Sequence, residues 1–305
     1  TKKLSIHLKK NRPDFFIVHG DRFETFAAAI TSTSMNIPTI QLEGGVITNG
    51  GTFDDTMRHA ISRLSHLLFT TNKDSQLRLI KQGEEKWRVS NIGISSLSKF
   101  KKQKYATKLE IEKKLNLKFD KPIIIFTFHP ISFDINKTKK HIKICIKSLI
   151  ELSKNFNVIV TFPNDDYGSK YIISEYKKLY RYKNIHVIKS LGKYYFHSLM
   201  NLNLQKKHKI VCLGNSSSGL KEAIFFRCFS INLGERQLNR IQSKNVFNIG
   251  VEKKKIVKTV IRVIKKKYNK KIINPFYQKN STKKFFSLIR KNFNNQFSVL
   301  NKKYF

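Results

Sequence analysis

Short apolar runs alternate with longer amphipathic stretches along this chain. Apolar runs at 15–18, 39–42, 67–70 and 89–92 are separated by helical patterns at 23–34, 55–64 and 73–82, the last opened by Asn72 as a cap. Strands that alternate with helices at this spacing predict a parallel, doubly wound sheet. A basic stretch at 95–108, poor in apolar residues, reads as a linker, and the run at 121–128 opens a second series. Further strands are expected at 157–162, 185–188, 210–213, 229–233 and 246–249. A helix at 252–267 carries Val257, Val260, Ile261 and Ile264 on one stripe, which suits docking onto its own sheet better than lying on a membrane. A last helix at 282–293 is expected to cross back to the first domain. The pattern therefore predicts an α/β protein of two Rossmann-like domains with parallel sheets and a cleft between them: 1–98, 109–268 as the nucleotide-binding half, and a basic tail with a helix at 269–305.

Composition narrows the class. At 305 residues, the chain is long enough for two cores, and its 40% hydrophobic and 12% aromatic content excludes a disordered protein. Cys145, Cys212 and Cys228 are odd in number and lack paired spacing, so neither a disulfide framework nor a zinc site is indicated, and a reducing cytoplasm fits best. No apolar run approaches the roughly 20 residues of a membrane span. No signal-peptide pattern opens a sequence that starts on Thr1 rather than Met. The net charge of +40 and pI near 10.2 suggest nucleic acid. The lysines are nevertheless spread along the whole chain among Asn, Ile and Phe, as an AT-rich coding sequence produces, and no recognition motif accompanies them. A specific nucleic-acid partner is not expected; a doubly charged phosphate ligand is a more economical use of some of this charge.

Candidate chemistry gathers at the predicted strand ends. Asp21 follows the first run in Gly20-Asp21-Arg22, Glu43 follows the second in Glu43-Gly44-Gly45, and Asp54 and Asp55 open a helical pattern that continues to Arg58 and His59. In open α/β sheets ligands bind beyond the carboxyl ends of strands, so these acids are expected to share one crevice. Carboxylates so gathered repel one another, which suits one of them to proton transfer near neutral pH. Taken singly, each has a plainer reading as a helix cap or strand end. In the second half, Gly214-Asn215-Ser216-Ser217-Ser218-Gly219 joins a strand to a helix start, where free N–H groups, hydroxyls and the helix dipole favour an anion. Glu222, one turn on, suits a ribose diol. A Walker loop is excluded because Gly-Lys-Ser/Thr is missing. His129 closes a strand before Pro130, and Arg236 and Arg240 follow another, where guanidinium groups suit a diphosphate.

The order Gly20-Asp21-Arg22, Glu43-Gly44-Gly45, Asp54-Asp55 with Arg58-His59, Phe128-His129-Pro130, Gly214 to Gly219 with Glu222, and Gly234-Glu235-Arg236-Gln237 resembles the UDP-N-acetylglucosamine 2-epimerase family, especially its hydrolysing branch. The resemblance implies a GT-B arrangement and a reaction without metal or redox cofactor, part of sialic-acid-type sugar synthesis. UDP is eliminated from UDP-N-acetylglucosamine, or a related UDP-amino sugar, as the C2 proton leaves. Water then adds to give N-acetylmannosamine plus UDP. It further implies Asp21, Glu43, Asp54, Asp55 and His129 as catalytic residues. Arg22, Arg58, His59, Asn215, Ser216, Ser217, Ser218, Gly219, Glu222 and Arg236 would hold UDP and sugar. A homodimer is also among the expectations. At least one βαβ unit of the family's first domain, roughly 30 residues, has no counterpart here, so that domain is expected to be incomplete. The non-hydrolysing epimerase and an inactive nucleotide-sugar binder remain alternatives, and the Glu-Gly-Gly and Asp-Asp-x-x-Arg-His spellings favour hydrolysis. A glycosyltransferase would share the diphosphate site without needing the acids.

Overall fold

The computed structural model describes residues 1–48, 53–94, 96–100, 102–131 and 133–303, which divide into two compact units. Thr1–Lys102, Asn239–Ile241 and Pro275–Phe305 form the first, and Gln103–Leu238 with Gln242–Asn274 the second.

The first unit runs α1 (Lys2–Lys10), β1 (Phe16–His19), α2 (Phe23–Ser34), β2 (Thr39–Leu42), α3 (Phe53–Leu64), β3 (Leu67–Thr70), α4 (Lys73–Lys81), β4 (Val89–Asn91) and α5 (Ser96–Lys99). Its strands pair in parallel in the order β1-β2-β3-β4. Asn72 caps α4 as expected, its Oδ1 accepting from Ser75 N–H at 2.9 Å. The expected linker at 95–108 begins as part of this unit, with Leu97 and Phe100 fully buried; Ser95 and Lys101 lie outside the described residues.

In the second unit, α6 (Lys108–Leu115), β5 (Ile123–Thr127), α7 (Ile135–Leu152), β6 (Asn157–Thr161), α8 (Ser169–Tyr176), β7 (Ile185–Ile188) and α9 (Gly192–Leu204) are followed by β8 (Ile210–Gly214), α10 (Ser218–Lys221), β9 (Phe229–Leu233), β10 (Val246–Ile249) and α11 (Lys253–Lys265). The sheet order is β10-β9-β8-β5-β6-β7, all parallel. Numbered from β5, this is the doubly wound order 3-2-1-4-5-6, whose direction reverses between β5 and β8. Both faces are covered, so β5, β6 and β8 are buried throughout apart from the half-buried Thr127, as expected of central parallel strands. Alternate residues Ile124, Phe126, Val158, Val160, Val211 and Leu213 join one core cluster with α7, α8 and α11.

The stripe expected on α11 is corrected by one position. Ile256, Thr259, Val260 and Val263 are its buried residues, whereas Ile261 is exposed. Val257 and Ile264 flank the contact, because a 3.6-residue period places 256, 260 and 263 on one line.

Past residue 274 the chain packs with the first unit. There α12 (Ser281–Phe293) and α13 (Gln296–Leu300) place Phe285, Leu288, Ile289 and Val299 against Ile40, Leu67 and Phe69. Arg88, fully buried, donates to the carbonyls of Val299 (2.6 Å) and Asn301 (2.7 Å), satisfying acceptors that a helix end leaves open. Lys302 donates to the carbonyls of Ser62, Arg63 and Ser65 at the end of α3 and pairs with the buried Glu84 at 2.8 Å.

Candidate active site

At the carboxyl end of the first sheet, one guanidinium organises the acids. Arg58, on the second turn of α3, has a side chain only 4% exposed, and it pairs with Asp21 after β1 and with Asp55 one turn earlier. The Asp55 contact is 2.5 Å, and the same nitrogen donates to the Val46 carbonyl at 2.7 Å. Both oxygens of Asp55 are committed, since Oδ2 accepts from the N–H and hydroxyl of Thr48, each at 2.8 Å. Burial alone would lower the Arg58 pKa, but the charges of Asp21 and Asp55 outweigh it and hold the pKa raised. The repulsion expected among the carboxylates is thus offset by a cation placed between two of them. Gln41 inside β2 supports the arrangement, donating to the Arg58 carbonyl (3.1 Å) and accepting from Ser62 (2.6 Å).

Glu43 stands apart from that triad. It holds a left-handed backbone, φ +64°, which disfavours a side chain by roughly 1–2 kcal/mol. The turn is fixed by neighbours: Glu43 N–H donates to the Phe69 carbonyl at 2.9 Å, and Arg78 grips the Gly45 carbonyl at 2.6 Å. Gly45, at φ +74°, lies so close to Ser75 and Leu79 of α4 that a Cβ would sit 2.5 Å from the Ser75 carbonyl oxygen. The Glu43 carboxylate, a quarter exposed, lies 3.6 Å from His19 Nε2. Asp54 is half-buried at the start of α3. Arg22 lies 3.9 Å from the exposed Glu24. His59 has its pKa lowered by burial, then by Arg58, and its buried Nδ1 has no hydrogen-bond partner among the described residues. Arg240 belongs with the first unit, where Nε donates to the Ile47 carbonyl at 3.4 Å.

In the second unit, His129 after β5 and Asn215 after β8 meet at the switch point. Asn215 accepts from His129 N–H (2.6 Å) and donates to the His129 carbonyl (2.8 Å). Gly214, at φ +135°, makes this junction possible, because any Cβ there would overlap the Thr127 carbonyl. The Asn215 carbonyl accepts from Arg236 (3.2 Å) and Gln237 (2.8 Å), which fixes the turn from the β9 side. His129 Nδ1 accepts from Asn164 N–H at 3.2 Å, so the neutral ring carries its proton on Nε2. Ser216, Ser217 and Ser218 are half-buried, and the Ser217 hydroxyl makes no cap hydrogen bond. Gly219 packs against Ser230, where a Cβ would strike the hydroxyl.

The helix expected after this turn is short. α10 has four residues and Glu222 closes it rather than lying inside it, so few peptide dipoles are aligned. Glu222 is instead held by His197, fully buried on α9, whose Nε2 is 3.0 Å from its carboxylate and whose ring stacks on Phe226. His197, Gln41 and Thr48 were not foreseen. Gln41 alone left a trace, a polar residue inside an apolar run. Among the described residues no cluster of three or more His, Cys, Asp or Glu side chains could hold a metal ion. None of the helices among them is long and apolar enough to cross a membrane.

Two Rossmann-like units with parallel sheets, carboxylates at the strand ends of one and a small-residue turn at the switch point of the other, define a GT-B-type α/β protein. Solved structures agree in fold: the UDP-GlcNAc 2-epimerase of Neisseria meningitidis bound to UDP-GlcNAc superposes with a TM-score of 0.78 at 22% identity, covering 95% of this chain and 80% of that one. The Methanocaldococcus jannaschii enzyme, solved with UDP-GlcNAc and UDP, gives 0.75 at 18%, covering 95% and 79%. The chain belongs to the UDP-N-acetylglucosamine 2-epimerase family, whose pattern it matches over residues 1–290. It is 36% identical to the hydrolysing GDP/UDP-N,N'-diacetylbacillosamine 2-epimerase of Campylobacter jejuni, over 78% of this chain and 60% of that protein. With the hydrolysing UDP-N,N'-diacetylbacillosamine 2-epimerase of Legionella pneumophila it shares 33%, over 78% and 61%. The chain thus spans about three fifths of the curated relatives it matches.

Proposed function

We propose that this chain carries the chemistry of a hydrolysing 2-epimerase acting on a UDP-linked N-acetylated amino sugar. In the elimination half, the C2–H bond gives its proton to a carboxylate, its electron pair forms the C1=C2 double bond, and UDP departs with the pair of the C1–O bond. In the second half, water adds across that double bond: hydroxyl to C1 and a proton to C2 on the opposite face. The products are UDP and the free 2-epimeric sugar. N-acetylglucosamine and its diamino relatives are the candidate sugars, the latter favoured by the names of the Campylobacter and Legionella relatives.

The observation that carries this reading is the Asp21–Arg58–Asp55 arrangement, with Glu43 following the strand next to the one that ends before Asp21. Asp55, with both oxygens occupied, and Arg58, with its guanidinium committed, act as positioning residues. Asp21 and Glu43, each about a quarter exposed, are the acid and base, with Asp54 assisting. In the second unit, the Ser216–Ser218 turn takes the phosphates, Glu222 the ribose, and His129 with Arg236 the diphosphate.

The test is proton NMR of the chain with UDP-N-acetylglucosamine, and separately with the UDP-diacetylated diamino sugar, in deuterated water. Free UDP plus a sugar inverted and deuterated at C2 is expected for one of them. Asp21→Asn and Glu43→Gln abolish that turnover while UDP affinity stays nearly intact. A product that retains UDP would overturn the hydrolysing assignment, and near-wild-type rates in both variants would overturn the residue roles.

A further inference from the structure

A cavity of about 450 Å³ in the second unit lies at the opposite end of its sheet from the Gly214–Gly219 turn. It opens where β8 and β9 begin, beside the carboxyl ends of α9 and α11. Five exposed lysines, Lys206, Lys209, Lys266, Lys267 and Lys270, and the half-buried Arg227 line it, and no Asp or Glu does. None of the six cations forms an ion pair with a carboxylate among the described residues. Each helix end supplies roughly half a negative charge. Two ends therefore offset about one of the six positive charges, and the rest remain for a ligand.

The rim is built rather than accidental. Lys206 (φ +59°) and Arg227 (φ +56°) both hold the left-handed backbone that side chains disfavour. Asn203 fixes the loops that carry them: its Nδ2 donates to the carbonyls of Phe226 (3.2 Å) and Arg227 (2.9 Å), and its Oδ1 accepts from Ile210 N–H (3.0 Å). The floor is apolar, from Ile210, Val211 and Val263. One wall is aromatic, with Phe229 and Tyr268 rings 5.2 Å apart.

We propose that this cavity is a second ligand site, independent of the acid and serine sites, which binds a nucleotide carrying two or more phosphates. The cations receive the phosphates and the Phe229–Tyr268 wall receives the base. The volume lies within the roughly 300–1,000 Å³ range of small-molecule sites.

The probes are ATP and inorganic tripolyphosphate, titrated calorimetrically into the full chain at fixed ionic strength. ATP is expected to bind one-to-one and more tightly than tripolyphosphate. Lys209→Glu with Lys266→Glu weakens ATP by about tenfold or more. The same charge reversed on α7, Lys143→Glu with Lys147→Glu, changes it less than about twofold. Equal weakening in both double variants would reduce the effect to surface charge and overturn the site. Equal affinity for the two probes would overturn the nucleotide. ATP binding that disappears in Ser217→Ala with Glu222→Ala would belong to the other turn and also overturn the proposal. Tyr268→Ala, checked for intact thermal unfolding, is expected to lose the preference for ATP over tripolyphosphate, so the base contact has a readout that does not depend on the lysines.

Discussion

Replacing Arg58 with Met removes one guanidinium and strands two carboxylates unequally. Asp55 is 10% exposed and cannot be rehydrated without opening the turn that carries Thr48, whereas Asp21 is 28% exposed and meets water readily. Breaking a buried pair from one side costs about 3–5 kcal/mol, and an exposed pair contributes at most about 1. The expected loss is therefore about 4 kcal/mol, most of it from Asp55. At about 2–4 °C per kcal/mol, this lowers the melting temperature by roughly 8–16 °C. Urea unfolding of Arg58→Met, Asp55→Asn, Asp21→Asn and the two Arg58 double variants completes the cycles. Adding Asp55→Asn to Arg58→Met removes the stranded charge and should recover about 2 kcal/mol, while adding Asp21→Asn recovers less than about 1. If Asp55→Asn instead destabilises the Arg58→Met background further, the account of Asp55 as a carboxylate anchored by Arg58 is wrong.

Acid stability gives a separate handle. Burial, followed by the charges of Lys302 and Arg88, pushes His66 down to about 4 from an ordinary 6.5, and its Nδ1 accepts from Thr39 N–H at 3.0 Å. Between those values the unfolded chain binds the proton and the folded one does not, so stability falls as pH is lowered, by about 2 kcal/mol from near pH 7 to near pH 4.5. His66→Asn, which keeps an acceptor, should lose that share of the slope; parallel urea titrations of the two proteins would refute it. Glu222→Ala should weaken UDP binding by about 1–3 kcal/mol, and His197→Phe by about 1, with His197→Gln restoring most of it. Calorimetry decides, and an unchanged UDP affinity in Glu222→Ala removes the ribose assignment. Lys302→Met leaves the buried Glu84 paired among the described residues with Arg63, at 3.0 Å, and should cost about 3 kcal/mol in urea unfolding. A loss under about 1 would show that the tail's grip on α3 is slight.

Strand positions were legible in the sequence because parallel strands covered on both faces must be apolar along their length. The runs at 39–42, 67–70 and 229–233 coincide with the largely buried β2, β3 and β9, and those at 185–188 and 246–249 coincide with the half-covered edge strands β7 and β10. Asn72 and the helix at 23–34 were legible for a similar reason: a cap and a periodic stripe are local patterns. The acids and the serine turn stood out because they follow such runs, where an open sheet presents its ligands. Whatever depends on contacts between distant segments was decided by the tertiary structure alone. Nothing in the linear order ties Arg58 to Asp21, which the fold brings to it from 37 residues away. The left-handed turn at Glu43 is held by the Phe69 carbonyl, which accepts from its N–H, and by Arg78, which grips the Gly45 carbonyl. The stripe on α11 depends on where the sheet lies beneath it. The basic cavity joins segments around 206, 227 and 267, whose lysines in the linear sequence look like the rest of a uniformly basic chain. Burial and local hydrogen bonding leave a periodic trace in sequence; long-range electrostatic pairing has no period and leaves none.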